Sequence, residues 1–252
     1  MLAVHNLSLV RGTRRLVNGL NLDIALGQCW LVLGENGSGK STLLATLAGW
    51  LKPETGDIRL DGKVLGDWPA RERARKMAWL AQADENPFPL SVLAKTLTGR
   101  EPHLGRWDWE GADDIALART QLIRLDLDGL EMRDLATLSG GERRRVALAT
   151  TLTQDAELLL LDEPLSQLDL RHQQQALAIL REEVAMGKTV VMVSHDPNHA
   201  RDLASHALLL FGDGRWLAGP VADVLTAEHL SSLYHCPVRR IGDGQGGWFV
   251  AG

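Results

Sequence analysis

The chain has 252 residues, 45% hydrophobic and 23% charged, with 27 Lys and Arg against 32 Asp and Glu. A length of this size, at ~150 residues per domain, allows one or two domains with a sizeable core, and the formal charge of −5 excludes a general nucleic-acid binder, which is basic. Two distant cysteines, Cys29 and Cys236, make neither a disulfide framework nor a zinc pair, and no run approaches the ~20 apolar residues of a membrane-spanning helix.

The opening Met1-Leu2-Ala3-Val4-His5-Asn6 lacks the basic-then-apolar pattern of a secretory signal. Residues 2–10 and 20–24 alternate apolar with polar, which predicts strands. Cys29-Trp30-Leu31-Val32-Leu33 is continuously apolar, as suits a strand buried on both faces. It leads through glycines into a helical stretch over 40–49. Pro53, Gly56 and Asp61-Gly62 mark a small hairpin with Ile58-Arg59-Leu60 as one strand. Over 83–153 the apolar residues recur at helical spacing, as in Ile115, Leu122, Ile123 and Leu125, and read as a helical insertion. Strand patterns return at 158–161, 189–193 and 207–211, with a helix over 173–185. Strands alternating with helices imply right-handed crossovers and a largely parallel sheet. Tryptophan is abundant, 8 against one Tyr and three Phe.

The segment Gly34-Glu35-Asn36-Gly37-Ser38-Gly39-Lys40-Ser41-Thr42 fits G-x-x-x-x-G-K-[ST], and it lies between a buried strand and a helix. Its glycines let consecutive N–H groups point at an anion, and the helix N-terminus adds partial positive charge. Lys40 can reach the β- and γ-phosphates of a nucleotide, and the Ser41 hydroxyl can ligate Mg2+. Leu158-Leu159-Leu160-Leu161-Asp162-Glu163 is a second buried strand, ending in two acids. Ligands of open α/β sheets bind at the carboxyl ends of the strands. Asp162 therefore suits Mg2+, and Glu163, pointing elsewhere, suits an attacking water. A third strand ends in Ser194-His195-Asp196, which places His195 near a γ-phosphate. Leu138-Ser139-Gly140-Gly141-Glu142 opens another helix, with Ser139 and Glu142 as a capping box. Its two glycines leave the helix start bare enough for a phosphate. One γ-phosphate can be held between two such helix starts only if chains pair. The adjacent Arg143-Arg144-Arg145 reads as a solvated helix face.

These four motifs, in this order and spacing, resemble the nucleotide-binding subunit of an ABC transporter, over essentially the whole chain. The resemblance implies an α/β fold: a P-loop NTPase core with a mainly parallel sheet, an N-terminal antiparallel β-subdomain and an inserted α-helical subdomain. Residues 1–252 then form one nucleotide-binding domain, with 1–82 and 154–252 as the ATPase core and 83–153 as the helical signature subdomain. It further implies ATP and Mg2+ as cofactors and a head-to-tail pair with a second copy. Each ATP would lie between the phosphate loop of one copy and Ser139-Gly140-Gly141 of the other. Gln82 matches the glutamine that joins the Mg2+ and water shell, and Ser166 and Asp169 belong to the loop that crosses the dimer interface. In that loop Gln167 replaces the usual alanine. Arg11 stands where the family often has an adenine-stacking aromatic residue, and a guanidinium can stack on a base. The segment Asn86-Pro87-Phe88-Pro89-Leu90-Ser91-Val92 corresponds to the place where membrane subunits dock.

The 168–173 and 195–200 segments and the ending from Gly219 to Tyr234 are similar to the importers of iron-siderophore complexes, haem and vitamin B12. Corrinoid or siderophore import is preferred, with haem import or a soluble cofactor-assembly ATPase as alternatives. Multi-spanning permease subunits and, indirectly, a periplasmic substrate-binding protein are the implied partners, with no nucleic acid. The implied location is the cytoplasmic face of the inner membrane, held there by the permease. A DNA-repair relative would carry long coiled coils between the phosphate loop and the signature, and 43–137 shows no sustained heptads.

Overall fold

The computed structural model describes residues 1–82, 89–201, 203–242 and 247–252. In chain order, β1 (Leu2–Arg11) and β2 (Arg14–Ile24) form a hairpin, β3 (Cys29–Leu33) feeds α1 (Lys40–Leu47), and β4 (Thr55–Leu60) turns into β5 (Lys63–Val64). There follow α2 (Ala70–Lys76), β6 (Met77–Leu80), α3 (Val92–Leu97), α4 (Ala112–Arg124) and α5 (Gly140–Thr153). Then come β7 (Leu158–Asp162), α6 (Leu170–Ala185), β8 (Thr189–Val193), β9 (His206–Leu210) and β10 (Trp216–Pro220). The chain closes with α7 (Val221–Val224), α8 (Ala227–Tyr234), β11 (Val238–Ile241) and β12 (Trp248–Ala251).

Two main sheets result. The first is antiparallel, in the order β2-β1-β4-β5. Its tight β4–β5 turn uses Asp61 and Gly62, both at positive φ (50° and 79°), as a hairpin with right-handed twist demands. The second runs β10-β9-β3-β8-β7-β6; its pairings from β6 to β9 are parallel, and β10 is antiparallel to β9. This is the α/β architecture expected. The last hairpin, β11–β12, forms a small sheet of its own.

Period-2 side-chain alternation explains why β3, β7 and β8 are buried at every residue. Leu31, Leu33, Leu159, Leu161 and Met192 face a core shared with α5, α6 and the helices of the insertion. Trp30, Val32, Leu160, Val191 and Val193 face a second core, shared with α1 and the antiparallel sheet. The sheet is thus fixed from both sides, and only its edges are free to carry chemistry. Among the described residues no helix is long and apolar enough to cross a membrane.

Candidate active site

The strand register sets the site. Leu80 pairs with Leu161, Asp162 with Val193, and Val32 also with Val193. The carboxyl ends of β6, β7, β8 and β3 therefore line one edge, and the residues that follow them are Gln82, Glu163, His195 and Gly34. This brings together four stretches spread over 160 residues of chain.

Gly39 begins α1 with φ 105° and no side-chain cap, so the first N–H groups of the helix stay unclaimed by a side chain. A Cβ at Gly39 would lie 2.9 Å from the Leu16 Cβ, so both the backbone angle and the space require glycine. Lys40 is buried, and its Nζ donates to the carbonyls of Gly34 (2.8 Å) and Glu35 (3.0 Å) across its own loop. Burial pushes this ammonium below its ordinary value, while the carboxylates of Glu163 and Asp162 pull it back. The Ser41 hydroxyl lies near the Asp162 carboxyl and favours its ionised form. Asp162 is 2% exposed, and its Oδ1 is buried with no hydrogen-bond partner. Burial raises its carboxyl above the usual range, against the opposing Ser41 hydroxyl. A buried carboxylate oxygen without a donor, beside a hydroxyl, matches the oxygen ligands of a hard divalent cation.

Glu163 follows with φ 52°, which turns the chain sharply at the strand end. His195 Nε2 donates to its Oε1 at 2.6 Å, and the carboxylate acceptor thereby sets the imidazole tautomer. Gln82 is exposed at the end of β6. Its carbonyl, with those of Ala81, Asp162 and Glu163, accepts from the guanidinium of Arg144 on α5. This overturns the solvated reading for Arg144 and Arg145, while Arg143 is exposed as expected. Arg144 is 6% exposed and Arg145 8%; Arg145 donates to the carbonyls of Leu125 and Asp126, and Arg143 to that of Leu138. A signal was present: three consecutive helical residues span about 200° of the surface, too wide for one solvated stripe on a helix that also carries Val146, Leu148 and Leu152.

The second helix start is built differently. Ser139 Oγ accepts from the Glu142 N–H (3.2 Å), and Glu142 Oε2 accepts from the Ser139 N–H (2.7 Å), completing the expected capping box. These bonds hold the Glu142 carboxyl below its ordinary value. The glycines face the loop after β7. A Cβ at Gly140 would lie 2.5 Å from Gln167 Oε1, and one at Gly141 3.0 Å from the Gln167 carbonyl. Within one chain, then, Gln167 already rests on the surface expected to be bare. In the same loop the Ser166 N–H donates to the Glu163 carbonyl (3.0 Å), while Asp169 caps α6 by accepting from the His172 N–H (2.9 Å).

Arg11 lines a cleft of about 730 Å3 together with Ser41, Thr42, Trp79 and Asp162, within the size range of ligand pockets. Glu35 and Asn36 are exposed on the phosphate loop, and Ser38 is buried. Arg14, which motif reasoning passes over, donates from Nε to the Gly212 carbonyl (2.9 Å) and lies against Gly37. Asn86, Pro87 and Phe88 of the expected docking segment lie outside the described residues.

Comparison with known proteins bears on the fold and the family. Residues 17–166, more than half of the chain, match the family described as ABC transporter. The hemin import ATP-binding protein HmuV of Streptomyces coelicolor is 39% identical over 228 residues, covering 90% of this chain and 81% of its own. The protein of that name from Pseudomonas entomophila is 41% identical over 241 residues, covering 93% and 92%. Among solved structures, a chain from a transporter described as of the metal-chelate type, in an inward-facing conformation, is similar with a TM-score of 0.84 and 31% identity. The match covers 99% of this chain and 96% of that one. An ATP-binding cassette solved as a post-hydrolysis dimer with ADP and Pi is similar with a TM-score of 0.76 and 27% identity, covering 86% and 98%.

Proposed function

The chain belongs to the ABC transporter family and is an ATPase of that family, and from this premise we propose that it energises an importer. The observation that carries the proposed site is the buried, partnerless Asp162 Oδ1 beside Ser41, with the Glu163–His195 pair on the same sheet edge. The phosphate loop from Gly34 to Thr42 cradles ATP with its N–H groups, and Lys40 exchanges its two loop carbonyls for the β- and γ-phosphates. Mg2+ would be held by Ser41, Asp162 and Gln82, and supplies charge neutralisation to the phosphates. Glu163 accepts the proton of the attacking water. His195 holds that carboxylate in place through its hydrogen bond and contacts the γ-phosphate. Arg11 stacks on the adenine.

A second copy of the chain completes the site by presenting Leu138, Ser139, Gly140, Gly141 and Glu142 to the γ-phosphate, with Ser166 and Asp169 at the seam. The pair works on the cytoplasmic face of the membrane, attached to permease subunits that receive cargo from a periplasmic binding protein. Two of the relatives named above are hemin import ATP-binding proteins, which favours haem among the cargoes of the subgroup; corrinoids and siderophores belong to that same subgroup.

Two measurements test this. Glu163→Gln is expected to keep ATP binding, to accumulate as an ATP-bound dimer and to lose turnover by about 10²–10⁴-fold. Turnover at the wild-type rate would overturn the role given to Glu163. Reconstitution with the permease, with haem, a corrinoid and a ferric siderophore offered separately, is expected to show ATPase stimulation by haem. Stimulation by another of the three would reassign the cargo.

A further inference from the structure

His195 sits just past β8 with its side chain half exposed. A ring in that position keeps its aim only if the backbone on both sides of it is held. Upstream the sheet does this, since the Ser194 N–H donates to the Val32 carbonyl at 3.1 Å. Downstream the chain leaves the sheet, and a side chain takes over. Asn198 Nδ2 donates to the Phe249 carbonyl (3.0 Å), and Asn198 Oδ1 accepts from the Phe249 N–H (2.8 Å). This reciprocal pair is what two facing residues exchange in an antiparallel ladder. The amide of Asn198 thus acts as one residue of a third strand beside β12.

Other contacts tie the same C-terminal unit to the same loop. Tyr234 Oη, at the end of α8, donates to the His195 carbonyl at 3.4 Å. Burial pushes this phenol up to about 12, so it remains a donor at ordinary pH. His235, the next residue, faces Glu35 of the phosphate loop at 3.8 Å. Between them, Asp196 accepts from the Asn198 N–H (2.8 Å) and fixes where the Asn198 side chain starts.

We infer that Asn198 is a positioning residue for His195, and that the hairpin β11–β12 is the abutment against which it holds the loop. The inference rests on the role given to His195 above. Nothing in it requires Asn198 to touch nucleotide. Its effect must therefore pass through His195 and appear in the rate rather than in ATP affinity, because misplacement by about 1 Å suffices to cost a large factor in turnover.

The test is a double-mutant cycle on the full chain, with kcat and KM for ATP measured for Asn198→Ala, His195→Ala and the pair. Asn198→Ala is expected to lower kcat by about tenfold and to leave KM within about twofold. In the His195→Ala background it is expected to cost nothing further, since residues acting through one group are non-additive. Independent, multiplying losses would overturn the inference, as would an unchanged kcat in Asn198→Ala alone. An unchanged kcat in His195→Ala would instead remove the proposed role of His195, and with it the basis of the inference. Should Asn198→Ala fail to fold, Asn198→Ser carries the same cycle, because its hydroxyl is small enough for the site and still able to accept a hydrogen bond.

Discussion

The helix start at Gly39–Lys40 and the helix start at Ser139–Gly140 share their ingredients, glycines ahead of a helix, but differ in what their own chain does with them. At α1 no side chain caps the first turn, and Lys40 is parked on carbonyls of its own loop. At α5 the capping box already serves two N–H groups, and Gln167 lies over Gly140. The first is left uncapped by its own chain, as the proposed anion cradle requires. The second is a finished cap whose surface is shared with the loop that carries Gln167. The lesson is that a glycine pair at a helix start has two distinct uses: leaving room for a ligand, and leaving room for the protein itself.

Substitutions can sharpen or break that contrast. Lys40→Ala should have the largest effect, a loss of about 10²–10³-fold in ATP turnover, because the cradle loses the only flexible cation it contributes; a rate assay on the folded variant checks this. Gly141→Ala should come next, destabilising by about 1–3 kcal/mol in urea unfolding, since its Cβ would press on the Gln167 backbone. Gly140→Ala, which meets only the movable end of that side chain, should be near neutral, and equal losses at the two positions would sink the distinction. Ser139→Ala should cost about 1 kcal/mol by removing the cap, a loss with no counterpart at α1. Smallest is Asp162→Asn in the nucleotide-free protein. Burial raises the Asp162 carboxyl, so ionising it costs more in the native state than in the unfolded chain. The resulting penalty is absent below the ordinary carboxylate value and complete once pH exceeds the raised one. Removing the charge should therefore raise Tm at neutral pH by about 2–4 °C for each ~1 kcal/mol relieved.

What the sequence showed and what it hid divide along a physical line. Gly34, Lys40, Asp162 and His195 were legible because each motif combines a short local pattern with a strand end, and parallel pairing brings strand ends together. The capping box was legible for the same reason, since all its bonds lie within four residues. Arg144 was hidden, because its burial depends on carbonyls 63 and 18 residues away in sequence. Asn198 was hidden too: its partner strand is 51 residues downstream. The tryptophans are now partly placed. Trp30 stacks on His206 at 4.6 Å between centroids, and Trp79 meets Trp50 at 5.5 Å on the wall of the cleft that holds Asp162. Trp107 and Trp109 remain 85% and 88% exposed, Trp107 with the Arg106 guanidinium over its ring at 5.6 Å.

The guanidinium of Arg144 has a mechanical consequence. It pins one helix of the inserted segment to the ends of two strands, at Ala81 and Gln82 on one side and Asp162 and Glu163 on the other. A rotation of α5 against the sheet must either break those bonds or drag both strand ends along. The lever and the chemistry thus share a single axle, and torque applied at the helices is delivered to the two acids.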